Sequence, residues 1–144
     1  MDDMNKSIER IKATVDGLIY LASPYSHDQA AIRQWRFDVA CKAAACLMRD
    51  GLAIFSPIAH SHVIAQHGLP KGWDFWEPYD RLLLGACGGM IVLTMPGWNE
   101  SKGIIAELQI AAESYKPIWF LSARGNRWPE GDIMNHDTDW SINP

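Results

Sequence analysis

Four short, continuous apolar runs divide the chain, and between them the apolar residues recur at intervals of three and four. The first run is Leu18-Ile19-Tyr20-Leu21-Ala22, stopped by Ser23-Pro24-Tyr25. Leu52–Phe55 is stopped by Ser56-Pro57, Met90–Thr94 follows Gly88-Gly89, and Ile118–Leu121 follows Pro117. Runs of this length between turn residues read as buried strands. After the first run, Ile32, Trp35, Val39, Ala43, Cys46 and Leu47 share one helical face that Gly51 ends. The Ser26…Gln29 spacing is that of a capping box and predicts the start of that helix. A second helix is predicted over Trp76–Ala86, with Pro78 in its first turn and Asp74, Glu77 and Asp80 near its N-terminus. A third is predicted from Ser101 to Tyr115. Residues 56–75, with His60, His62, His67, Gly68, Pro70 and Gly72, read as a long connection.

Strands that alternate with helices imply crossover connections and a parallel sheet. The expected fold is a single-domain α/β, flavodoxin-like three-layer sandwich over residues 18–122, strand order 2-1-3-4, with room for a short fifth strand. A length of 144 residues fits one such domain. Residues 1–17 read as an arm or short helix, with Met4, Ile8 and Ile11 at helical spacing. Residues 123–144 are polar apart from Trp128 and Trp140 and read as a tail: disordered, a short strand, or a contact to a neighbouring subunit.

A net charge of -4 argues against a nucleic-acid polymer as partner, but leaves room for a local cationic pocket that takes one phosphate. Cys41, Cys46 and Cys87 form no C-x-x-C pair and read as reduced thiols. The polar N-terminus and the shortness of every apolar run lead to the expectation of a cytoplasmic protein with no membrane partner.

In parallel sheets, ligands bind outside the carboxyl ends of the strands. Three loops should therefore converge on one cleft: Ser23-Pro24-Tyr25, the segment after Ser56-Pro57, and the Pro96-Gly97-Trp98 loop. In the third helix, Ile104, Ile105, Leu108, Ala111, Ala112 and Tyr115 make the expected buried face, with Glu107 at its edge. Near a helix N-terminus the dipole favours an ionised carboxylate, which suits a nucleophile; a solvated or capping glutamate is the alternative. Ser101-x-Gly103 at the helix start offers a hydroxyl and free amides to an anion, or is a plain cap. Asp80 either satisfies its own helix dipole or is the second carboxylate of a glycosyl-transfer site. His60-x-His62 matches no strong metal motif, so no metal and no cofactor are expected. Trp73, Phe75, Trp76 and Trp98 form a stacking surface for a flat base or simply pack together. The phosphate-binding G-x-x-x-x-G-K-[ST] loop, the dinucleotide G-x-G-x-x-G and the G-x-S-x-G elbow are all missing.

Tyr20-Leu21-Ala22-Ser23-Pro24-Tyr25 after the first strand resembles the opening of the nucleoside 2-deoxyribosyltransferase-like superfamily. Ser101-Lys102-Gly103-Ile104-Ile105-Ala106-Glu107-Leu108 is similar to its later motif, followed here by Ala111-Ala112 and Lys116-Pro117, with Asp80…Leu84 between. The resemblance covers roughly residues 18–121. It implies a flavodoxin-like fold, Glu107 as nucleophile, Asp80 as its supporting acid and Tyr20 as the tyrosine of the first strand. Ser101 stands where transferases commonly have Asp, which is similar to the branch that hydrolyses nucleoside 5′-monophosphates. Ser23-Pro24 departs from that branch, which has a Gly-Ser pair and a nearby arginine there. The expected catalytic set is Glu107, Asp80 and Tyr20. The expected substrate-binding set is Ser23, Pro24, Tyr25, His60, Trp98, Ser101 and Gly103. The expected function is that of a nucleoside or nucleoside 5′-monophosphate N-glycosidase or deoxyribosyltransferase, as a homodimer or homotetramer. A non-catalytic nucleotide-binding or sensing module is the alternative.

Overall fold

A computed structural model describes residues 3–144. The strands are β1 (Ile19–Ala22), β2 (Ile54–Phe55), β3 (Gly89–Leu93), β4 (Ile118–Ala123) and β5 (Trp140–Asn143). The helices are α1 (Asp3–Thr14), α2 (Ala30–Arg49), α3 (Pro57–Ala65), α4 (Trp73–Gly85) and α5 (Lys102–Glu113). The sheet runs β2-β1-β3-β4-β5. Its first four strands are parallel, and β5 pairs antiparallel with β4, Leu121 opposite Ile142. The expected α/β sandwich and the 2-1-3-4 order are therefore present, with a fifth strand at one edge.

Alternation along the strands divides the core in two. Ile19, Leu21, Ile91, Leu93 and Leu121 face α1 and α2 through Ile8, Ile11, Val39, Ala43 and Leu47. Tyr20, Ala22, Met90 and Val92 face α4 and α5 through Leu84, Ile104 and Ala111. A tyrosine on the second face thus lies within an otherwise apolar layer.

Several elements differ from the sequence expectation. The Ser26 capping box does not form: α2 starts at Ala30 with Gln29 as N-cap and no side-chain cap. The Ser26 hydroxyl instead reaches the Lys71 carbonyl, 3.4 Å away. The segment expected as a long connection contains α3, whose start is set by Ser56: its Oγ accepts from the Ala59 N–H at 3.1 Å, and Pro57 occupies the first turn. Ser56→Ala should cost about 1 kcal/mol. Denaturant unfolding measures this, and an unchanged midpoint would mean that α3 is held by packing alone. α4 starts at Trp73, so Pro78 lies inside the helix and Asp80 in its third turn, beyond the reach of the N-terminal dipole.

Both α1 and the segment after β4 join the fold. Ser7 Oγ donates to the Ile142 carbonyl at 3.2 Å, and Trp128 meets Trp140 edge-on at 6.0 Å. Residues 123–144 therefore carry a strand and are not a loose tail. All three cysteines are free thiols; Cys87 is buried, while Cys41 and Cys46 are half-buried. Among the described residues no helix is long and apolar enough to cross a membrane.

Candidate active site

A cleft of about 470 Å³ opens at the carboxyl ends of the strands. Ser23 and Tyr25 enter it directly after β1, Pro57 and Ile58 after β2, and Gly97 to Gly103 after β3. Asp80 comes from α4, Glu107 from α5 and Arg36 from α2.

Glu107 lies at the centre of the buried face of α5, not at its edge. The residues turned inward are Ile104, Glu107 and Ala111, whereas Ile105 is 54% exposed and Tyr115 93%. The side chain of Glu107 is only 4% exposed, and the Tyr20 hydroxyl donates to its Oε2. Burial pushes the Glu107 carboxyl up to about 8; the Tyr20 hydrogen bond pulls it down and the charge of Asp80 adds to the rise. Burial therefore outweighs the helix dipole in the second turn of α5, and the acid is not the freely ionised group that its position suggested. Burial also pushes Asp80 up to about 7. Tyr20 is raised far above an ordinary phenol, first by burial and then by the charges of Glu107 and Asp80, so it remains a hydrogen-bond donor. Two mutually repelling carboxyls of this kind hold one proton between them at neutral pH.

Of the residues expected here, Ser23, Tyr25, Asp80, Ser101, Gly103 and Glu107 line the cleft, and Tyr20 stands behind Glu107. Ser101 is the N-cap of α5 and accepts from the Ile104 N–H at 3.2 Å, which leaves its hydroxyl hydrogen free to donate. Gly103 packs close to Trp73: a Cβ there would sit 3.3 Å from the ring, which would have to shift by a few tenths of an ångström. Three expected residues lie outside the lining. Pro24 is buried beside it, His60 is exposed on α3 with its ring 6.1 Å from Phe55, and half-buried Trp98 meets Phe120 edge-on at 5.9 Å. The helical form of α3 turns His60 and His62 to different sides. Among the described residues no cluster of three or more His, Cys, Asp or Glu is placed to hold a metal. Phe75 and Trp76 pack on each other and on Tyr79.

His62 stands behind Tyr25, outside the lining of the cleft. The Tyr25 hydroxyl is 2.6 Å from its Nδ1, and the Gln34 Oε1 is 3.1 Å from its Nε2. An amide oxygen can only accept, so Nε2 carries the hydrogen and Nδ1 accepts from Tyr25. Phe37 stacks on the ring at 4.3 Å. Burial lowers the His62 pKa and favours this neutral form.

Arg36 was not foreseen. Its Nη1 donates to the Ser26 carbonyl at 2.9 Å, and its Nη2 lies against Gly97, where a Cβ would stand only 2.5 Å away. Gly97 has φ of 95°, so the loop needs glycine for its backbone, and the missing side chain leaves the guanidinium room at this position. The Arg36 Nε is buried without a hydrogen-bond partner, and so is the Ser23 Oγ; among the described residues these are the two side-chain polar atoms in that condition. Such an atom costs about 1–3 kcal/mol. The sequence carries no signal for Arg36, because its role depends on a loop 61 positions away.

Residues 17–123 match the family model described as a domain of unknown function (DUF1937), and the chain belongs to that family. No curated protein matches the chain.

Proposed function

We propose that this DUF1937 protein cleaves the N-glycosidic bond of a nucleoside or nucleoside 5′-monophosphate, as an N-glycosidase or deoxyribosyltransferase with Glu107 as nucleophile. The observation that carries this reading is one buried glutamate, hydrogen-bonded by Tyr20 and coupled to Asp80, in a cleft at the carboxyl edge of the sheet. The resemblance of the Tyr20–Tyr25 and Ser101–Leu108 segments to the nucleoside 2-deoxyribosyltransferase-like superfamily supports it.

In the first step a Glu107 oxygen attacks C1′ and forms a glycosyl ester. The N-glycosidic electron pair leaves with the base, which takes a proton from Asp80. In the second step Asp80 removes a proton from water or from an incoming base, which attacks C1′ and frees the Glu107 carboxylate. Tyr20 holds Oε2 and favours the ionised glutamate. Between about 7 and 8 the pair holds one proton, which the two values place mainly on Glu107; the step draws on the tautomer in which Asp80 carries that proton and Glu107 is ionised.

Chromatography of nucleosides and 5′-monophosphates incubated with the protein tests this reading. Free base is the expected product, and a second nucleoside should appear when a competing base is added to a transferase. Ligand-induced stabilisation without any released base would overturn the reading in favour of a binding module.

The same reading includes a homo-oligomer. Leu82 is 75% exposed, Tyr79 53% and Ile105 54%, along the outer faces of α4 and α5. Covering such a strip favours self-association. Light scattering is expected to give a dimer or tetramer at micromolar concentration, and Leu82→Glu to shift it toward monomer. A strict monomer would count against it.

A further inference from the structure

Among the described residues, the two unpartnered buried side-chain atoms, the Ser23 Oγ and the Arg36 Nε, belong to residues that line the same cleft. They come from different elements: Ser23 follows β1 and Arg36 lies on α2. Among the described residues no carboxylate forms an ion pair with Arg36. A third element adds donors, since the hydroxyl of Ser101 and the first amides of α5 open onto the cleft. Lys102 brings a second cation to the rim, opposed by the exposed Glu100.

We propose that Arg36 and Ser23, together with Ser101, form a receptor for a phosphomonoester, so that the substrate class is the nucleoside 5′-monophosphate and not the free nucleoside. This rests on the reading of the cleft as a nucleoside site. The donor set fits the chemistry of the group. A phosphomonoester presents three terminal oxygens in a tetrahedron and needs donors from several directions, which a guanidinium, two hydroxyls and helix amides supply. A free nucleoside would leave the Arg36 Nε and the Ser23 hydroxyl unsatisfied inside the complex, with Nη1 alone bonded, to the Ser26 carbonyl. Gly97 is part of the device, because any side chain there would meet the guanidinium.

The test is calorimetric titration of the full chain with dAMP, dGMP, dCMP and dTMP, with the four matching 2′-deoxynucleosides, and with inorganic phosphate. At least one monophosphate should bind about tenfold or more tightly than its nucleoside, the scale of one charge-assisted hydrogen bond. Arg36→Gln should abolish most of that preference while nucleoside binding stays within a few-fold of the parent; Arg36→Lys, which keeps the charge without the fork, should fall between. Equal affinity for monophosphate and nucleoside in the parent would overturn the proposal, as would a preference that survives in Arg36→Gln. If Arg36→Gln shows no cooperative thermal transition, Ser23→Ala decides. It removes a buried hydroxyl that has no partner, so it should fold at least as stably as the parent, and an undiminished monophosphate preference in it would overturn the receptor. Binding by Glu107→Gln separates this proposal from the catalytic one. A monophosphate preference there that depends on Arg36 supports the receptor even if no compound releases base. Release of base from nucleosides and monophosphates alike, with equal affinities, removes the receptor and leaves the chemistry.

Discussion

Glu107→Gln should abolish base release while the protein becomes more stable above neutral pH. The amide keeps the shape of the side chain, and its oxygen can still accept from Tyr20, so the buried face of α5 is preserved. It cannot act as an anionic nucleophile. Loss of general acid–base help alone costs about 10²–10⁴-fold, and loss of the nucleophile should cost at least as much. The stability effect follows from the raised carboxyl. With a folded value of about 8 against the ordinary 4.5, the native protein holds more protons than the unfolded chain between those limits. Stability from this group is fully present below 4.5 and is lost as pH rises through about 8, at up to about 1.4 kcal/mol per pH unit. The variant lacks that slope. Denaturant unfolding from pH 5 to 9 should therefore show the two proteins diverging in favour of Glu107→Gln by a few kcal/mol. Parallel curves would mean that the carboxyl is not held protonated by burial, and full turnover in the folded variant would remove it from the mechanism.

Asp80→Asn is expected to lower turnover by about 10²–10⁴-fold, the usual range for a lost proton donor. The effect should be largest for bases that leave poorly without protonation. Its pH profile is more diagnostic than its rate. The parent should give a bell in kcat/KM with its plateau between about 7 and 8, the range in which the pair holds a single proton. Asparagine removes the alkaline limb, because no acid remains to be deprotonated. It also removes a negative charge that raises Glu107, so the one remaining limb should report the ionisation of Glu107 alone, at a pH below about 8. A variant that is slow but keeps an unshifted bell would show that Asp80 only supports the structure.

The strands were legible in the sequence because each is a continuous apolar run with a sharp stop, and such runs leave little freedom in a parallel sheet. β5 was harder: in Trp140-Ser141-Ile142-Asn143 only alternate residues are apolar, and its pairing with β4 is a long-range event that no local signal marks. α3 is hidden because Ser56-Pro57 reads as the end of a strand, although the same two residues serve as N-cap and first turn. The site was legible where loops follow strands and less so on helix faces. For α5 the helical wheel ranked positions by hydrophobicity, which favours Ile105 and Tyr115, both exposed, and places an acid at the edge. A buried carboxylate is the residue that such a ranking hides, since charged groups rarely lie inside unless function requires them there. Arg36 illustrates the same limit, because on α2 it reads as one more polar residue until the Gly97 loop closes over it.

The covalent step is open to direct measurement by intact-protein mass spectrometry. The protein is incubated with 2′-fluoro-arabinosyl nucleosides and their 5′-monophosphates, whose electron-withdrawing fluorine slows loss of the sugar from the enzyme, and is then digested and mapped. A nucleophilic Glu107 predicts a mass increase of one sugar or sugar phosphate, located on the peptide that contains Glu107 and absent from Glu107→Gln. Release of base with no adduct, or an adduct on Asp80 or Glu100, would contradict it.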